Sequence, residues 1–134
     1  MPVSTSPDTL INILRETIVA LVRRDGVDLS ARQLAVLLTV YLTEGPHTVR
    51  GLAATLNVSK PAITRALDRL GELDLARRKT DPADRRSVLV QRTVKGAAFL
   101  REIRTIMAES EAGLRQTAAT LQPANGETEQ RAAS

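Results

Sequence analysis

The 134-residue chain has no cysteine and no tryptophan, and its only aromatic side chains are Tyr41 and Phe99. Without thiols there is no disulfide, no thiolate metal site, no cysteine nucleophile and no thiol-based redox sensor. Histidine occurs once, at His47. Zinc or copper sensing therefore lacks a ligand set, and no metal or other cofactor is expected. With so few rings, the core has to be built from Leu, Val, Ile and Ala, a palette that suits helices packed on helices. Long apolar runs are missing as well. The longest, Leu34 to Leu42, is broken by Thr39 and falls far short of the roughly 20 residues that span a bilayer. The start, Met1-Pro2-Val3-Ser4 with Asp8 as its first charge, lacks the basic opening of a secretory signal. These absences predict a cytoplasmic protein with no membrane partner.

What is present is positive charge, unevenly placed. The formal net charge is +4, but residues 50 to 104 hold thirteen Lys or Arg against six Asp or Glu, while both flanking segments are slightly acidic. A basic block between near-neutral ends is the footprint of a polyanion-binding surface, and nucleic acid is the commonest polyanion. A solvated basic face gives the same composition, so the patterning has to decide.

Apolar residues at 10, 11, 14, 18, 21 and 22, with more at 13, 19 and 20, predict a helix over 7–24. It is apolar around most of its circumference, which a chain this small cannot cover; a partner subunit is expected to supply the rest. Ser30-Ala31-Arg32-Gln33 reads as a capping box opening a core helix, which Gly45-Pro46 ends. Thr48 is placed to cap a short helix over 49–56, and Ser59 a fourth over 60–73, with Pro61 tolerated in its first turn. On that fourth helix Ile63, Ala66, Leu67 and Leu70 fall on one face. Lys60, Pro61, Thr64, Arg65 and Asp68 then turn outward, with Arg69 at the edge. Residues 75–79 and 87–91 read as two strands flanking a charged tip, Asp81 to Arg86. Thr93 caps a last helix, whose apolar stripe keeps period to Leu121. The polar residues beyond, with Pro123 and Gly126, read as a frayed tail.

Two short helices in tandem, the second basic on its outer face, have the arrangement that places a helix in the DNA major groove. Lys60, Thr64 and Arg65 are candidates for base or phosphate contact, and Pro61 and Ala62 for meeting a thymine methyl. The N–H groups beside Ser59 can receive a phosphate, and Thr48 is placed to do the same. The strand pair that follows adds a wing. The run Leu52-Ala53-Ala54-Thr55-Leu56-Asn57-Val58-Ser59-Lys60-Pro61-Ala62-Ile63-Thr64-Arg65-Ala66-Leu67-Asp68-Arg69-Leu70, then Asp81-Pro82-Ala83-Asp84-Arg85-Arg86 and Thr93-Val94-Lys95-Gly96, resembles the MarR family of bacterial regulators over roughly residues 7 to 121.

The resemblance implies a mainly α (α+β) chain forming a single winged helix-turn-helix domain over 1–134. Within it, 7–24 and 94–121 are dimerisation helices, 30–93 the winged lobe and 122–134 a flexible tail. It implies a homodimer that reads a near-palindromic operator on double-stranded DNA as a transcriptional regulator, a repressor in the first instance. In similar proteins the arginine matching Arg86 enters the minor groove, and the aspartate matching Asp84 holds it; Arg85 and Arg69 complete the expected DNA-binding set. A plain turn salt bridge between Asp84 and Arg86 is the blander reading. The resemblance also implies a small aromatic or anionic effector, for which Arg15, Tyr41 and His47 are the nearest candidates, although ordinary structural roles are the favoured account of all three. Three positions depart from the family pattern. Arg92 replaces the usual leucine before Thr93, Asp74 stands where glycine is common, and the C-terminal helical region is short. Asp at 74 can take the left-handed conformation, at some cost.

Two other functions compete. An enzyme is not expected, since His47 has no convincing nucleophile or carboxylate partner, and Asp81 and Asp84 lie on a solvated turn. A winged-helix adaptor for protein partners, with no specific DNA affinity, is opposed by Arg65, Arg69 and Arg86.

Overall fold

In the computed structural model, residues 6–24 and 27–133 are described, those from 118 onward as backbone alone. The elements run α1 (Pro7–Arg23), α2 (Ala31–Leu42), β1 (His47–Thr48), α3 (Val49–Leu56), α4 (Lys60–Glu72), β2 (Ala76–Asp81), β3 (Asp84–Arg92) and α5 (Val94–Ala133). They fall into two units, one of residues 1–25 with 103–134 and one of residues 26–102.

The first unit contains α1 and most of α5. Ser6 caps α1 by accepting the Thr9 N–H at 3.2 Å, and Pro7 and Asp8 suit its first turn. Its buried side chains, Ile13, Thr17 and Leu21, recur every four residues, and Thr17 turns its hydroxyl back to the Ile13 carbonyl at 2.7 Å. On α5, Ile103 and Ile106 are buried. Leu10, Ile11, Leu14, Ile18 and Val22, by contrast, are 56, 59, 51, 39 and 65% exposed. This is the apolar surplus that the periodicity of α1 predicted. α5 does not end at Leu121. It continues to Ala133 with Pro123 and Gly126 inside its span, because the surrounding Ala124, Glu127, Glu129, Gln130, Arg131 and Ala132 are good helix formers.

The second unit is a winged lobe. The Ser30–Gln33 capping box forms in both directions, at 3.1 and 2.9 Å. Val36, Leu37, Val40, Leu52, Ile63, Leu67, Leu70 and Leu75 are the large side chains sealed most completely from solvent. Each such burial stabilises by about 1.5–3 kcal/mol, and no aromatic is needed among them. The sheet has the order β1-β3-β2, antiparallel throughout. His47 and Thr48 therefore form a third strand, opposite Val90 and Leu89, which the two-strand reading of the sequence did not include.

The two departures at the junction with α5 are both accommodated. Asp74 takes φ 56°, as a residue in a glycine-favouring position must. Arg92 donates to the carbonyls of Val40 at 2.9 Å and Thr43 at 3.2 Å, and its guanidinium lies 5.7 Å from the Tyr41 ring centroid. It thereby closes the C-terminal end of α2, where the orphan carbonyls favour a cation. Tyr41 donates its hydroxyl to the Leu75 carbonyl at 2.6 Å and accepts the Thr93 N–H at 2.9 Å. Thr93 in turn caps α5 at the Gly96 N–H and donates to the Asp74 carbonyl.

Candidate nucleic-acid interface

The turn between α3 and α4 fixes how the outward face of α4 is presented. α3 starts at Thr48, whose hydroxyl accepts the Gly51 N–H at 2.9 Å, and stops at Asn57, which takes the left-handed φ of 55°. The Val58 N–H closes back on the Ala53 carbonyl at 3.0 Å, the six-to-one bond of a helix-ending motif. Ser59 follows at once as the cap of α4, accepting the Ala62 N–H at 3.3 Å. Three residues thus turn one helix into the next, and burial of Leu52, Ala53, Ile63 and Leu67 fixes the pair on the lobe.

On α4, Lys60, Pro61 and Arg65 are exposed and Thr64 is half-buried, as the helical period requires. Ala62 is 5% exposed. It faces the core and is withdrawn as a thymine-methyl contact, because position 62 precedes Ile63 and lies four residues before Ala66 on the packed side. Arg69 is half-exposed and pairs with Glu72 at 3.2 Å. Asp68 pairs with Arg78 of β2, tying the outer face of α4 to the wing.

The wing differs from its sequence reading. The strands run further out than expected, to Asp81 and Asp84, leaving only Pro82 and Ala83 as the turn. Asp81 opposes Asp84 and Thr80 opposes Val88, so Arg85, Arg86 and Ser87 face no residue of β2. They form a bulge on β3, where the sequence reading had Arg85 and Arg86 in the charged tip, and bulges re-aim side chains. Asp84 accepts the backbone N–H of Arg86 at 3.1 Å, and Asp81 that of Ala83 at 2.9 Å. Asp84 therefore holds Arg86 through its main chain; among the described residues the Arg86 guanidinium forms no ion pair.

A groove of about 340 Å³ collects side chains from four elements: Thr48 of β1, Arg50 of α3, Lys60 of α4, and Asp84, Arg86 and Ser87 of β3 line it. Arg50 was missed by sequence reasoning. Its signal was a cation two residues after a helix cap, where an acid is favoured, but only the fold shows that this helix start faces Lys60 and Arg86.

Of the three effector candidates, Tyr41 and His47 lie in the winged lobe and Arg15 lies in the other unit. Tyr41 is committed to the hydrogen bonds described above. His47 donates from Nε2 to the Thr43 carbonyl at 3.0 Å and lines a cleft of about 410 Å³ with Thr39, Thr43, Glu44 and Thr55. Arg15 is exposed on α1, in the other unit. Among the described residues, no group of three His, Asp or Glu is placed to hold a metal ion, and no helix is long and apolar enough to cross a membrane.

Comparison with known proteins agrees with this geometry. The model of the MarR family matches residues 27–87. No curated protein sequence matches the chain. Among solved structures, the YusO protein of Bacillus subtilis is similar at 22% identity, covering 96% of this chain and 99% of its own, with a TM-score of 0.67. MarR is similar at 27% identity, covering 92% and 96%, with a TM-score of 0.60. The transcriptional repressor CouR, bound to a 23-mer DNA duplex, is similar at 24% identity, covering 90% and 81%, with a TM-score of 0.62. The winged lobe is thus matched by the model of the MarR family, and the architecture is similar to that of MarR over nine-tenths of the chain.

Proposed function

We propose that the chain is a sequence-specific DNA-binding transcriptional regulator which, as a homodimer, binds a near-palindromic operator and acts as a repressor in the cytoplasm. The observation that carries the reading is the outward face of α4, where Lys60, Pro61, Thr64 and Arg65 project behind the Ser59 cap next to a wing that carries Arg85 and Arg86. In this reading α4 enters the major groove, and its first turn reaches base edges. The N–H groups at Thr48 and Ser59 face phosphates. Arg69 takes phosphate at the edge of the helix, and the wing arginines approach the minor groove, where a narrow groove concentrates negative potential. The exposed apolar face of α1 is the surface that a second copy covers.

The repressor role follows the relative CouR, described as a transcriptional repressor on DNA. Release by a small aromatic or anionic molecule is a secondary part of the proposal, with the cleft beside His47 the place for it within the winged lobe.

Selection of bound fragments from random duplex DNA tests the reading. The expected product is an inverted repeat whose half-sites are centred about one helical turn apart. Recovery of fragments with no shared sequence would leave only polycation-like binding and overturn it.

A further inference from the structure

We propose that the groove between the starts of α3 and α4 and the bulge of β3 is a phosphate clamp for one phosphodiester of the DNA backbone, with Arg50 as its additional contact. The inference rests on the DNA-binding reading and adds a residue and a subsite to it.

Place is the first ground. A helix in the major groove and an arm in the adjoining minor groove are separated by one sugar-phosphate strand. The groove lies between α4 and the wing, on the path that this strand must take.

Charge is the second. Arg50, Lys60 and Arg86 are exposed, line the same groove, and form no side-chain ion pair or hydrogen bond among the described residues. The one carboxylate there, Asp84, accepts the Arg86 backbone N–H. Three cations against one carboxylate leave an excess of positive charge that the protein itself does not neutralise. The guanidinium fork of Arg50 suits phosphate oxygens, which it can engage in pairs.

The third ground is a conflict between local and tertiary preference. α3 and α4 have no acidic residue in their first turns and carry Arg50 and Lys60 there instead. A cation at a helix start opposes the helix dipole. α2 does the same with Arg32, but its start is not part of this groove. Two successive helices that both bring a cation and free N–H groups to one groove are arranged for an incoming anion, which reverses the sign of both penalties. The bulge then turns Arg86 and Ser87 toward the same place.

The test is binding of a fluorescein-labelled duplex of mixed sequence, followed by anisotropy across a sodium chloride series, for the wild type, Arg50→Gln and Arg50→Lys. The slope of log K against log salt should flatten in Arg50→Gln by about 0.9 per lost phosphate contact, or about 1.8 for a dimer with two copies of Arg50. Arg50→Lys should keep the wild-type slope. Arg50 forms no side-chain hydrogen bond or ion pair among the described residues, so the sedimentation of Arg50→Gln should match that of the wild type, and its melting temperature should be no lower, since the variant removes a cation that opposes the helix dipole. A variant that keeps both slope and affinity would overturn the clamp while leaving the DNA reading intact. Loss of salt-dependent duplex binding in the wild type itself would instead sink that reading, and the clamp with it. Inorganic phosphate at constant ionic strength is the second probe. If it raised the melting temperature of the wild type but not of Arg50→Gln while their DNA slopes coincided, the groove would belong to free phosphate, and the duplex assignment would be overturned.

Discussion

Gly96 is buried at the start of α5, and a Cβ built there would fall on the Tyr41 hydroxyl and the Leu75 carbonyl. The constraint is one of space: α5 approaches the end of α2 too closely for any side chain. Gly96→Ala must therefore displace either Tyr41, which loses its bonds to Leu75 and Thr93, or the first turn of the helix. Overpacking of this kind costs about 1–3 kcal/mol, and urea denaturation should show a midpoint lowered to match. An unchanged midpoint would mean that the junction yields freely. Arg92 beside it shows how a single position can look wrong in sequence and be right in structure. An arginine in a leucine position finds two carbonyls at the end of α2 and an aromatic face.

At the scale of elements, the helix starts were the most legible part of the sequence. Ser30, Thr48, Ser59 and Thr93 each cap the helix expected of them, because a hydroxyl two or three residues from free N–H groups is a local, strong preference. The packed face of α4 was legible for the same reason, as periodicity is local too; Ala62 was misplaced because a small residue at a face boundary carries little pattern. The wing was not legible in detail. Whether Arg85, Arg86 and Ser87 sit in a loop or a bulge depends on which residue of β2 faces Val88, a pairing set by the sheet and not by their own composition. Arg50 was hidden likewise, since Lys60 and Arg86, with which it lines a groove, lie on other elements. On α4 the exposed Arg65 offers the cleanest test of base reading. Arg65→Ala should weaken operator binding by about 1–3 kcal/mol and relax specificity at one position if it meets a base. If affinity and base preference were both unchanged, Arg65 would leave the site.

At the scale of the whole molecule, the proposed dimer makes its clearest demand on α1. Leu10, Ile11, Leu14, Ile18 and Val22 present more apolar side chain on one helix than a lone chain readily keeps in water. In the proposed dimer, Leu14→Lys places a charge in the middle of that face, and loss of a leucine covered by the second copy together with an unpaired cation should cost at least about 2.7 kcal/mol of association. The dimer dissociation constant should then rise by about a hundredfold or more, read by sedimentation equilibrium, with operator affinity falling alongside it. A variant that stayed dimeric would move the interface off α1.

Tyr41 gives the chain an optical property of its own. With no tryptophan and one tyrosine, its near-ultraviolet circular dichroism is dominated by a phenol held between Leu75 and Thr93. That signal ordinarily averages fixed packing over many rings, but here it reads a single junction. Any event that loosens the start of α5 from α2 becomes visible without a dye.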